Sequence, residues 1–149
     1  MHFFQVGTVI TTTGYASTDF NKWPEFSKFI LVMLMFSGAC AGSTGGGMKV
    51  SRLVIMLKTV KKELLSYLHP RTVRKVKFNG RIVEHEVIRG INVYMIAYAF
   101  VLMFSVLIIS IDNFDFTSNF TAVVATLNNI GPGLNIVGPT GNFSMYSNL

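Results

Sequence analysis

Charged residues are scarce in this sequence: they fill 13% of its 149 positions, and only seven are acids. That is about half the share of an ordinary soluble domain. Half of the residues are hydrophobic and the mean hydropathy is +0.48, so a water-soluble globular domain is excluded and a membrane protein is expected. The single cysteine, Cys40, rules out a disulfide framework within the chain. His2, His69 and His85 stand far apart, without the spacing of a metal site. No pair of acids and bases lies inside an apolar run to mark a proton- or sodium-coupling site. The phosphate-binding pattern Gly-x-x-x-x-Gly-Lys-[Ser/Thr] is absent, because Lys49 follows Met48 and precedes Val50. A charged leader with a cleavage site is also absent, so the sequence reads as one that begins mid-domain and not as a secretory precursor. Neither an enzyme nor a resident cofactor is expected.

What is present is an uncharged run from Gly90 to Ile111. At about 1.5 Å per residue it is long enough to cross a ~30 Å hydrocarbon core as a helix. Eleven of the thirteen lysines and arginines fall between residues 49 and 89. By the positive-inside rule that block is cytoplasmic. It joins two membrane segments, has only Tyr67 and Phe78 as aromatics and carries no recognisable nucleic-acid module, so nucleic acid is not an expected partner. Within it, residues 72–87 place two β-favouring runs around Asn79-Gly80, which predicts a hairpin with Phe78 opposite Arg81, Val76 opposite Val83 and Lys75 opposite Glu84. His69-Pro70 ends the helix before it.

Residues 29–36 (FILVMLMF) are apolar but too short to cross a bilayer. A stretch with five glycines between Gly38 and Gly47 follows, and then a helical segment over 48–67. Interior glycines each cost a helix up to about 1 kcal/mol, which predicts a broken membrane helix. Irregular backbone at membrane depth must face protein or a watery cavity. Close helix packing through small residues is the competing explanation for the same glycines.

Two short segments mirror one another. Phe3 to Gly14 (FFQVGTVITTTG) aligns with Phe120 to Gly131 (FTAVVATLNNIG) at a constant offset of 117, matching Phe3 with Phe120, Val6 with Val123 and Gly14 with Gly131. Each is a short apolar helix-like run ending at glycine. Threonine-rich extended backbone before a glycine can turn a row of carbonyls toward one axis, as ion-selective filters do. With 49–89 inside, both segments re-enter the membrane from the same outer face. Asp112 and Asp115 are expected to cap the second short helix, which begins near Thr117, with concentration of cations at the outer mouth as the alternative role. The glycosylation patterns at Asn119 and Asn142 are read as coincidental, and Trp23, Tyr94 and Tyr146 as interfacial aromatics.

TTTGYAST, SGACAGSTGGGMK and NNIGPGL, in this order, resemble the C-terminal half of a TrkH-type subunit of the Trk/Ktr/HKT potassium transporter superfamily. The resemblance covers nearly the whole chain. It implies an all-α membrane fold of membrane-pore-membrane repeats with re-entrant pore helices, plus a short cytoplasmic β-hairpin. Residues 1–67 would be a third repeat, 68–89 a cytoplasmic connection, and 90–149 a fourth repeat without its final inner helix and without the arginine the family places there. It further implies potassium uptake across a bacterial inner membrane through a filter of backbone carbonyls at Thr12, Thr13, Gly14, Tyr15, Asn129, Ile130 and Gly131. A gating loop would comprise Gly42, Ser43, Thr44, Gly45, Gly46, Gly47 and Lys49. K+ is the transported ion, and no other cofactor is implied. The partners implied are the lipid bilayer, a second pore subunit in a homodimer and a cytosolic nucleotide-binding TrkA-like ring. Two filters cannot enclose a pathway that needs four, so the chain reads as a piece of the pore subunit; the alternative is a non-conducting fragment with an anchoring or interaction role.

Overall fold

The computed structural model describes residues 2–38, 47–69 and 75–146. Helix α1 (His2–Ile10) is followed by an irregular stretch and a short 3-10 turn at Phe20–Lys22, where the Asp19 carboxylate accepts the Asn21 N–H at 3.1 Å. Helix α2 (Glu25–Phe36) begins four residues before the apolar run that announces it. Pro24 fixes φ ahead of the first turn, and Glu25 meets the positive end of the helix dipole there. Lys28 pairs with Glu25 at 2.8 Å on that turn.

After α2 the chain forms strand β1 (Ser37–Gly38), which pairs in parallel with β2 (Met48–Lys49): Ser37 opposes Met48 and Gly38 opposes Lys49. Most of the glycine-rich segment, including Gly42, Ser43, Thr44, Gly45 and Gly46, lies outside the described residues. Its two flanks are thus side by side, and the second runs directly into α3 (Val50–Leu68). That helix ends at His69, whose N–H reaches the Leu65 carbonyl at 2.9 Å.

The hairpin is shorter than its sequence suggests. Strands β3 (Lys77–Phe78) and β4 (Arg81–Ile82) pair antiparallel with Phe78 opposite Arg81, and the Val83 N–H meets the Val76 carbonyl at 2.9 Å. Asn79 (φ 49°) and Gly80 (φ 78°) both take left-handed backbone, the geometry of a two-residue hairpin turn. The expected Lys75–Glu84 ion pair does not form. Residues 85–87, expected in the second strand, are helical instead and open α4 (His85–Ile109).

Helix α4 therefore starts five residues before the uncharged run at Gly90, because a helix need not stop where the hydrocarbon does. With its 3-10 extension it spans His85–Asp112, and among the described residues it is the helix long and apolar enough to cross a membrane. Phe100, Met103, Phe104 and Leu107 all face outward and are at least two-thirds exposed, as a lipid-facing surface requires. Helix α5 (Phe116–Leu127) is apolar but only 12 residues long, too short to span.

The core joins the two ends of the chain. Val9 of α1, Phe20, Leu31 and Met35 of α2, Val124 of α5, Ile130 and Leu134 form one buried cluster. Each of these side chains is no more than 4% exposed, so the packing that fixes α1 also fixes α5 and the segment after it.

Candidate functional site

The backbone after α1 and the backbone after α5 are built the same way, position for position. The Thr12 N–H reaches Val9 O at 3.1 Å, and 117 residues later the Asn129 N–H reaches Thr126 O at 3.1 Å. The Thr13 N–H reaches Thr8 O at 2.9 Å; the Ile130 N–H reaches Ala125 O at 2.9 Å. Thr12 (φ 54°) and Asn129 (φ 53°) both occupy the left-handed region, and so do Gly14 (φ 79°) and Gly131 (φ 105°). Each short helix thus ends in a tight turn, after which the glycine redirects the chain into an extended path. Asn adopts the left-handed form readily, whereas a β-branched Thr does so at a cost.

The two turns meet. A Cβ built on Gly14 would lie 2.0 Å from the carbonyl oxygen of Ile130, and one on Gly131 would lie 3.8 Å from the Cα of Gly14. The sequence-predicted filter residues are therefore brought together: Thr12, Thr13, Gly14 and Tyr15 lie along one turn, and Asn129, Ile130 and Gly131 along the other. Their side chains diverge, since Ile130 is buried in the core while Tyr15 is 75% exposed. Asn129, Ile130 and Gly131 also line a cavity of about 550 Å3 with Ala125, Thr126 and Phe143. What this arrangement can offer chemically is backbone oxygen, because among the described residues no cluster of His, Cys, Asp or Glu could hold a metal ion.

Polar side chains anchor the loops that leave the two turns. Gln5, fully buried on α1, sets its side-chain amide against Ser17 and Thr18, and with the amide oxygen assigned to that side it accepts their N–H groups at 2.8 and 3.1 Å. Thr121 on α5 accepts the Leu134 N–H at 3.0 Å. Asn21 then clamps Asn135 on both sides, accepting from its N–H at 2.8 Å and donating to its carbonyl at 3.1 Å. Asn135 in turn donates to Asp115 at 3.0 Å, and Asp115 caps α5 by accepting the Ser118 N–H at 3.1 Å. The Ser118 hydroxyl, more than any other group, holds the Asp115 carboxyl below its ordinary pKa. Asn119 is 2% exposed and accepts from Tyr146 at 3.1 Å, which makes a glycan there impossible without unfolding.

Sequence reasoning missed a junction on the opposite side of α5. Asn128 is fully buried; its oxygen accepts from the Tyr98 hydroxyl of α4 at 3.0 Å, and its Nδ2 has no partner among the described residues. Gly47, the described end of the glycine-rich segment, packs so closely that a Cβ on it would lie 2.7 Å from that same Asn128 oxygen. Lys49 lies two residues on, in β2. A polar pair, Asn128-Asn129, directly after the largely apolar last two turns of α5 is the signal that could have drawn notice to it.

The TrkH family model, described as a cation transport protein, matches residues 1–149. The chain belongs to the TrkH family. It is 40% identical over 135 residues to the Trk system potassium uptake protein TrkH of Escherichia coli K12, covering 91% of this chain and 28% of that protein. It is 34% identical over 131 residues to the Trk system potassium uptake protein TrkG of the same organism, with coverage of 88% and 27%. The crystal structure of the potassium transporter TrkH from Vibrio parahaemolyticus superposes with a TM-score of 0.82 at 38% identity, covering 95% of this chain and 31% of that one. This TrkH-family chain thus spans just over a quarter of the length of the curated relatives it matches. A predominantly helical membrane fold of the TrkH kind follows, and the relatives are transporters by name.

Proposed function

We propose that this chain supplies two quarters of a potassium uptake pathway. In this reading the carbonyls of Thr12, Thr13, Gly14 and Tyr15 from one re-entrant segment, and of Asn129, Ile130 and Gly131 from the other, replace the water shell of K+ as it enters from outside. The observation that carries the reading is the matched backbone of the two turns and the contact of Gly14 with the Ile130 carbonyl, since a ring of carbonyls needs repeated turns that converge. Residues 1–67 act as the third membrane-pore-membrane repeat, 68–89 as the cytoplasmic connection with its hairpin, and 90–149 as the fourth repeat. The glycine-rich segment over 42–47, with Lys49, gates the pathway beneath the filter. The protein works in the bacterial inner membrane as a homodimer on a TrkA-like cytosolic ring, toward which the basic 49–89 block faces.

Potassium-limited growth of an uptake-deficient cell tests this, using the complete reading frame that carries these residues. Gly14→Ser and Gly131→Ser should each abolish rescue while leaving the protein in the membrane. Undiminished uptake in both would sink the filter assignment. A second reading, in which the 149 residues alone serve as a non-conducting anchor, draws on their covering 28% of the E. coli relative. Residues 1–149 expressed alone should then insert without conferring rescue.

A further inference from the structure

A cationic cleft lies apart from the filter segments, within the basic 49–89 block, between α3, the hairpin and the first turn of α4. One compartment, of about 290 Å3, is lined by the basic Lys62, Lys75 and His85, the apolar Val76, Ile82, Val83 and Ile88, and one acid, Glu84. A second, of about 210 Å3, shares Lys62 and Lys75 and adds Lys58, Lys61 and Lys77. Lys58 is occupied, since it donates to the Lys77 carbonyl at 2.9 Å and sits 5.8 Å from the Phe78 ring centroid. Lys62 lies 3.2 Å from Glu63. Lys61, Lys75 and Lys77 form no ion pair among the described residues. Five lysines thus converge on two adjoining hollows with few acids to neutralise them.

The depth of the cleft follows from α4. Its uncharged run begins at Gly90, and His85 lies five residues earlier. At about 1.5 Å per residue that places His85 roughly 7 Å outside the hydrocarbon, and the headgroup layer of one leaflet is about 5–7 Å thick. His85 therefore stands at the level of lipid phosphates, with Lys62 and Lys75 lining the same compartment, while Ile88 lies near the hydrocarbon edge. A membrane phosphodiester with an attached acyl chain matches both halves of the lining; a zwitterionic headgroup would bring its own cation against the lysines.

We propose that this cleft is a binding site for the headgroup of an anionic phospholipid, with Lys62 and Lys75 holding the phosphate from opposite walls. The site needs only that α4 cross the bilayer and stands apart from the filter reading, so Gly14→Ser and Gly131→Ser should leave it intact. The test is native mass spectrometry of the full chain in detergent, titrated with phosphatidylglycerol or phosphatidylcholine of the same acyl chains. Phosphatidylglycerol adducts should dominate. Each lysine beside an anionic surface contributes about fivefold, so Lys62→Gln with Lys75→Gln should weaken binding roughly 25-fold. Replacing both with arginine should preserve it, and circular dichroism should show unchanged helix in both variants. Millimolar inorganic phosphate should not displace the lipid. Equal binding of phosphatidylcholine, an unaffected glutamine variant or displacement by phosphate would each overturn the proposal. So would a glutamine variant that loses the cytosolic ring but keeps the lipid, which would make the surface a protein interface.

Discussion

Gly14 and Gly131 are equivalent in sequence, yet alanine should not be equally harmful at the two. Both have φ in the region that disfavours a side chain, at 79° and 105°, so each substitution carries about 1–3 kcal/mol of backbone strain. The difference lies in what the new methyl would strike. At Gly131 the nearest atom is 3.8 Å away, an ordinary contact. At Gly14 it would sit 2.0 Å from the Ile130 carbonyl oxygen, against a comfortable carbon–oxygen separation of about 3.3 Å. That oxygen must retreat by more than about 1 Å, and it is backbone tied to a side chain that is 2% exposed, with no rotamer through which to escape. Gly14→Ala should therefore abolish potassium uptake and lower the melting temperature by clearly more than Gly131→Ala, which should retain a reduced flux. Rubidium uptake normalised to membrane protein, with detergent-solubilised melting curves beside it, measures both. Equal effects, or a Gly131→Ala variant that is the worse of the two, would refute the geometric argument.

Gly47→Ala drives a methyl to 2.7 Å from the Asn128 oxygen at φ 83°, so it should destabilise the protein, and Asn128→Ala in the same chain should recover the steric part but not the strain; melting curves of the single and double variants separate the two. Tyr98→Phe removes the hydroxyl donor and leaves the fully buried Asn128 amide without a side-chain partner among the described residues, which should cost about 1–3 kcal/mol in chemical unfolding. Asp115→Ala should cost about 0.5–2 kcal/mol as a lost helix cap, while Asp115→Asn should keep most of it. Because Ser118 lowers the Asp115 pKa, its ionic contribution is complete above pH about 4 and is lost as pH falls through the lowered folded value, so stability profiles of wild type and Asp115→Asn should converge in acid.

The elements legible in the sequence were those whose signal is local. The uncharged run that became α4, the Asn79-Gly80 turn, the proline after His69 and the Asp115 cap each rest on a few neighbouring residues. The offset of 117 was legible too, from only three matching residues, and it proved to hold for φ angles and hydrogen bonds at positions where the side chains differ. What could not be read was contact between distant segments. The parallel pairing of Ser37 with Met48, the Tyr98–Asn128 bond and the Asn21–Asn135 clamp leave no periodicity behind. The hairpin was overextended for a related reason. Residues 85–87 suit a strand locally, but as the first turn of α4 they continue an unbroken ladder of backbone hydrogen bonds into the membrane, where an unpaired group is costly.

The Asn21–Asn135 clamp also constrains when this molecule can become itself. Its partners are 114 residues apart, and the whole of α4 must be threaded across a bilayer before the second arrives. The two turns meet through contacts separated by more than a hundred residues, and contacts of such range form slowly because so much loop must be closed first. Until then the first turn waits with one side of its packing surface bare. By the same logic the covalent link between the halves matters little once they have met, so a chain severed at the exposed Asn79-Gly80 turn should still assemble from two co-produced pieces.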